Sequence, residues 1–172
     1  TTDTLEVSGN SKNSSSVGGL VGLFDGSSSS VSLSYSVTKS LILSVTNSTL
    51  GAVGGLIGLS PEGDSAPYGI VKSWASANIS ILSWTPVGSD TLAAGGFIGQ
   101  VANNMTMRNC YVEGQINNSV GSTTSTSMNI GTFTGVFNNT LRVDHSISTV
   151  TYISTSDKPK IKWYGKELTG TT

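Results

Sequence analysis

The residues of this chain that could do chemistry are few. His145 is the sole histidine, it follows Asp144, and serines are abundant, so the parts of a Ser-His-Asp set are present. Such a set needs the aspartate hydrogen-bonded to the imidazole. As neighbours on a strand, Asp144 and His145 point to opposite faces, which spoils that bond. No Gly-x-Ser-x-Gly elbow accompanies them. A glycosidase instead sets two carboxylates about 5–10 Å apart. The acids Asp25, Glu62, Asp64, Asp90, Glu113 and Asp144 fall at different phases of the repeat described below, and only Asp25 and Asp64 share a comparable turn. They read as solvated turn carboxylates. Cys110 is alone, which excludes a disulfide framework and a cysteine metal site and suits a small buried side chain. A calcium roll repeats Gly-Gly-x-Gly-x-Asp. Gly18-Gly19-Leu20-Val21-Gly22-Leu23-Phe24-Asp25 has the wrong spacing, and its Asp does not recur in register. The expectation is no catalytic residue, no metal and no cofactor.

What must position these side chains is a repeat. Val17-Gly18-Gly19-Leu20-Val21-Gly22-Leu23 returns as Val53-Gly54-Gly55-Leu56-Ile57-Gly58-Leu59 and as Ala94-Gly95-Gly96-Phe97-Ile98-Gly99-Gln100. A worn copy reads Ile130-Gly131-Thr132-Phe133-Thr134-Gly135-Val136. A phosphate loop is excluded, because it would open a helix and would not recur. After each glycine motif and a polar turn come two alternating stretches. They are Val31–Val37 with Leu41–Val45, Ile70–Ser76 with Ile79–Trp84, Met107–Val112 with Gly114–Ile116, and Leu141–Ile147 with Val150–Ile153. Lys39 marks the expected turn between the first pair. Alternation predicts strands and helical periodicity is absent.

A unit of short strands cannot bury its apolar side alone and must stack on its neighbours. The predicted fold is all-β, a parallel β-helix or β-solenoid of about four coils with three short strands per coil. It spans 1–156, with units near 17–52, 53–93, 94–129 and 130–156. Residues 157–172, where Ile161-Lys162-Trp163-Tyr164-Gly165 replaces the apolar motif, read as a C-terminal capping strand or an exchanged strand. Leu5-Glu6-Val7 precedes Gly18 as Leu41 precedes Gly54, so the chain should open on the last strand of a coil. That end is expected to be covered by upstream chain or by a second copy.

Composition sets the partners. A net charge of −1 and only 11% charged residues leave no basic field for nucleic acid. No apolar run approaches the roughly 20 residues of a membrane helix. Sequons at Asn13, Asn47, Asn78, Asn104, Asn117 and Asn138 are N-glycosylation candidates, all but Asn78 in predicted turns. They favour an extracellular or cell-surface location.

Each unit also pairs its Gly-Gly-Leu-Val-Gly motif with an aliphatic residue, two variable positions, Ser or Cys, and an aromatic. These are Val31-x-x-Ser34-Tyr35, Ile70-x-x-Ser73-Trp74 and Met107-x-x-Cys110-Tyr111, with Leu141-x-x-Asp144-His145 departing from the pattern. Over roughly residues 17–150 this resembles the GLUG-type repeats of microbial surface proteins. The resemblance implies a secreted or surface protein in which the repeats act as stalks, adhesive modules or spacers without catalytic residues. Tyr35, Trp74, Tyr111 and His145 then share one phase, and an aromatic ladder could stack on sugars or dock a protein. The expected function is a non-catalytic structural or adhesive module whose partners are flanking repeats, other copies or glycans. The alternative is a carbohydrate-binding or polysaccharide-active β-helix domain.

Overall fold

The computed structural model describes residues 3–8, 15–23, 32–34, 37–46, 50–60, 68–84, 91–102, 104–120, 128–138, 140–154 and 162–167. Among them are seventeen strands and no helix. In chain order, β1 (Asp3–Ser8) is followed by β2 (Ser15–Gly18), β3 (Val21–Leu23), β4 (Ser32–Ser34) and β5 (Val37–Thr46). The next unit holds β6 (Leu50–Gly54), β7 (Ile57–Ser60), β8 (Tyr68–Val71) and β9 (Trp74–Ile81). After it come β10 (Leu92–Gly95), β11 (Ile98–Val101), β12 (Met105–Arg108) and β13 (Tyr111–Asn118). The last elements are β14 (Met128–Phe137), β15 (Leu141–Asp144), β16 (Ile147–Ser154) and β17 (Lys162–Glu167).

Every pairing is parallel and joins equivalent strands of successive units. A broad sheet runs β1-β5-β9-β13-β16, and a narrow one runs β15-β12-β8-β4. The glycine motifs make the third sheet, β2-β6-β10-β14-β11-β7-β3, which doubles back on itself because both of its arms pair with the single long β14. The glycines align in columns, Gly18 beside Gly54, Gly95 and Gly131.

Backbone proximity explains that column. A Cβ on Gly54 would lie 1.9 Å from the Ile57 carbonyl oxygen and 2.6 Å from the Gly99 nitrogen. The chain folds so sharply between β6 and β7 that only hydrogen fits inside the bend. Thr132, where the second glycine of the pair is lost, sits beside a register irregularity. There β17 pairs with β14, and the match shifts between Gly131 and Thr134.

The core lies between the three sheets. Strand β9 alternates cleanly, with Ala75, Ala77, Ile79 and Ile81 inward and Trp74, Ser76, Asn78 and Ser80 less buried or exposed. At the doubled-back corner, Leu56 and Phe97 turn fully inside, and the Phe97 and Phe133 rings pack with centroids 5.3 Å apart and planes tilted by 43°.

Three expectations are corrected. The second and third units hold four strands each, since the glycine bend splits one expected strand into two. The second corner lies at Lys72–Ser73, inside the stretch read as one strand, while β9 runs straight through Ala77 and Asn78, joining the two stretches read separately. In the first unit β5 is likewise continuous past Lys39, with a register irregularity between Thr38 and Leu41 in place of a turn. Finally, Leu5 faces Leu43 and Asp3 faces Leu41, two residues from the expected match, because the loop after β1 is longer than its counterpart after β5.

Candidate functional site

The polar residues converge on the corner between the narrow and broad sheets. Lys72, Asn109 and His145 all adopt the left-handed backbone region, with φ of 50°, 55° and 46°. They stack, since the Lys72 N–H donates to the Arg108 carbonyl and the Asn109 N–H to the Asp144 carbonyl, both at 3.0 Å. In the second, third and fourth units one left-handed residue turns the chain sharply between two strands, and asparagine tolerates that conformation best among residues with a Cβ.

Immediately after each left-handed residue comes a small polar side chain that locks the corner. The Ser73 hydroxyl donates to the Val71 carbonyl at 3.0 Å, and the Ser146 hydroxyl to that of Asp144 at 3.0 Å. Cys110 occupies the same position, its thiol 3.5 Å from the Arg108 and Ile70 carbonyls. The Cys110 N–H also donates to Ser146 Oγ at 3.0 Å, tying successive units together. Burial pushes the thiol above its ordinary pKa, partly opposed by these hydrogen bonds. It is a corner-forming group, buried and protonated at neutral pH.

On the outside of this corner, Asp144 accepts twice. Arg108 Nε lies 3.3 Å from Oδ2, and His145 Nδ1 lies 2.9 Å from Oδ1. The sequence expectation that neighbouring Asp144 and His145 could not meet is therefore overturned. His145 has left the strand, and its positive φ swings the ring back over the preceding side chain. The imidazole is 77% exposed, so this pair is a surface contact of small energetic weight. Ser146, next along the chain, directs its hydroxyl to a carbonyl.

The aromatic column is also corrected. Trp74 faces Tyr111, with ring centroids 6.2 Å apart and planes 55° apart. The residue facing Tyr111 from the next unit is Ile147, and the one facing Trp74 from the preceding unit is Val37. His145 belongs to the corner column, and Tyr35 lies outside the described residues. Trp74 and Tyr111 are half-buried on the outer face, while Ile147 is 59% exposed. The Tyr111 hydroxyl donates to Glu113 Oε2 at 2.8 Å and lies 3.2 Å from Thr149 Oγ1.

The sequons scatter. Asn13 and Asn47 lie outside the described residues, as do Asp25, Glu62, Asp64 and Asp90. Asn78 is exposed on β9, and Asn104 is exposed before β12, its Oδ1 accepting the Thr140 N–H at 3.2 Å. Asn117 lies within β13 and not in a turn, its amide donating to Gln115 at 3.3 Å. Asn138 is half-buried just after β14. Among the described residues no group of three His, Cys, Asp or Glu is placed to hold a metal ion.

What the sequence left unseen is the corner column of Lys72 and Asn109. The available signal was a polar residue directly before the recurring Ser or Cys. A comparison with protein-family models finds no match, and comparisons with curated proteins and solved structures find none either.

Proposed function

We propose that this chain is a parallel β-solenoid of about four coils, related to the GLUG-type repeats, that serves as a non-catalytic structural or adhesive module of an extracellular or cell-surface protein. The observation that carries this reading is how the distinctive side chains are used. Ser73, Cys110 and Ser146 bind backbone carbonyls at the corner, and His145 and Arg108 meet across Asp144. Tyr111 is held by Glu113 on the outer face. The Arg108–Asp144 pair and the Cys110 thiol beside the Ile70 carbonyl tie one unit to the next, and the other contacts brace the chain within a unit.

In the alternative reading, Trp74 and Tyr111 form a sugar platform. Their planes are tilted by 55°, which suits packing on each other better than a flat strip. Electron microscopy combined with a screen for polysaccharide binding and turnover tests the proposal. Rod-like or filamentous particles without turnover are expected, and turnover of any polysaccharide by pure protein overturns the non-catalytic assignment.

A further inference from the structure

Two sequons lie on strands in the middle of the broad sheet, Asn78-Ile79-Ser80 on β9 and Asn117-Asn118-Ser119 at the end of β13. Both asparagines stand on outward rows, but the fold uses them differently. Asn78 is exposed, and its amide has no hydrogen-bond partner among the described residues. Asn117 is half-buried, and its amide donates to Gln115 Oε1 at 3.3 Å. We propose that Asn78 carries an N-linked glycan, in preference to Asn117. The proposal rests on the extracellular reading above and goes beyond it by naming the modified atom, Asn78 Nδ2, and the face that the sugar takes.

Three observations carry it. First, packing gives no reason for this asparagine. Asparagine is depleted in strands, and an amide without a partner adds nothing to the stacking of units. Second, the site has room. Ile42 and Gln115 face Asn78 in register, Thr151 lies beyond Gln115 and is exposed, and the outward neighbours along β9 are Ser76 and Ser80. A sugar on Nδ2 displaces no contact there, whereas at Asn117 it competes with the bond to Gln115. Third, the strand sorts the sequon by face. With a period of two, Asn78 and Ser80 share the outer face while Ile79 is fully buried between them. The inward row of Ala77, Ile79 and Ile81 and the backbone pairing of β9 are therefore untouched by a substituent on Asn78.

The donor this chemistry needs is a lipid-diphosphate-linked oligosaccharide, handled by an oligosaccharyltransferase of the secretory route. The Asn78 nitrogen bonds to the anomeric carbon, and the bond from that carbon to the diphosphate oxygen breaks. The diphosphate leaves with the electron pair, and the nitrogen gives up one proton to a base of the transferase. One N–H and Oδ1 remain on the side chain, and the product is the bulky, solubilising surface group of a glycosylated sequon. Asn78 is four residues along β9 from Trp74, roughly 13 Å on the same outer face. The broad sheet thus presents sugar beside Trp74 and Tyr111.

Expressing the chain behind a secretion signal in a glycosylating eukaryotic cell line tests the site. Peptides from both the medium and the cells are treated with a glycan-releasing amidase in heavy-oxygen water, which turns a glycosylated asparagine into labelled aspartate, and are mapped by mass spectrometry. The expected result is label at Asn78 in most molecules, above that at Asn117, and its loss in Ser80→Ala, which keeps the asparagine but breaks the sequon. Asn78 unlabelled in both fractions, or labelled no more than Asn117, overturns the proposal and leaves the structural-module reading intact. Label that persists at Asn78 in Ser80→Ala overturns it as well. Polysaccharide turnover by the pure protein overturns the structural-module reading instead and leaves the map of Asn78 as it is.

Discussion

Substituting Gly54 by alanine puts the glycine column to its hardest test. The added Cβ would lie 1.9 Å from the Ile57 oxygen, 2.9 Å from the Ile57 carbonyl carbon and 2.6 Å from the Gly99 nitrogen. All three are backbone atoms, so no side chain can swing aside. Relief requires β6 to part from β7 or from the strand after the next bend by more than 1 Å, near the upper end of the roughly 1–3 kcal/mol for overpacking. Strained ladder bonds add about 0.5–1.5 kcal/mol each. A loss of roughly 3–5 kcal/mol is expected, a large part of the ~5–15 kcal/mol that holds a typical domain together. Gly69→Ala is the control, because a Cβ there has nothing within 4 Å. It should gain about 0.4–1 kcal/mol by restricting the unfolded chain. Urea titration followed by circular dichroism measures both as shifts in midpoint at constant slope. If the two variants shift in the same direction, or Gly54→Ala stays within about 0.5 kcal/mol of the parent, backbone contact does not explain the column.

Three further substitutions follow from the same geometry. Phe97→Ala empties a fully buried site packed against Phe133 and should cost about 3–5 kcal/mol, read by the same titration. Lys72→Val places a β-branched residue at φ 50° and should cost about 1–2 kcal/mol, whereas Lys72→Asn, copying Asn109, should be neutral or stabilising. Cys110→Ser reproduces Ser73 and Ser146 and should stay within about 1 kcal/mol of the parent at neutral pH. It should also change the alkaline limb. Burial raises the folded thiol's pKa, so above the unfolded thiol value of about 8.5 the folded state holds more protons. The thiol's contribution is whole below that pH and fades as pH climbs through the raised value. Denaturation between neutral and alkaline pH should show this slope in the parent and not in the serine variant.

Much of the architecture was legible in the sequence because the glycines mark it directly. A bend that accepts only hydrogen recurs at Gly18, Gly54 and Gly95, and Gly131 aligns with them in the sheet although β14 runs on without a break. The inward faces were legible too, since alternation in Trp74–Ile81 or Met105–Arg108 reports burial residue by residue. The second corner was not. A left-handed residue between two strands leaves alternation intact on either side, and Lys72 carries no glycine or proline to announce it.

The misplaced aromatic column has the same physical root. Side chains alternate with a period of two, so sliding a strand by one residue turns its core face to solvent and is easily detected. Sliding it by two leaves every side chain on its original face and costs nothing in the hydrophobic pattern. Leu141 and Val143 are equally apolar, and so are Val31 and Leu33, so pattern matching settled on the earlier member of each pair. In the structure it is Leu33, Ile70, Met107 and Val143 that share a column. What separates the two registers is the corner, where one position must be left-handed and the next must reach back to a carbonyl. Ser146 meets that second requirement with a 3.0 Å hydrogen bond. Asp144 does not, and its side chain instead receives Arg108 and His145 on the outer surface. Aligning the units on the small hydrogen-bonding residue moves His145 out of the aromatic row and puts Ile147 into it. Among the described residues the outer row thus runs from Val37 through Trp74 and Tyr111 to Ile147, which is 59% exposed.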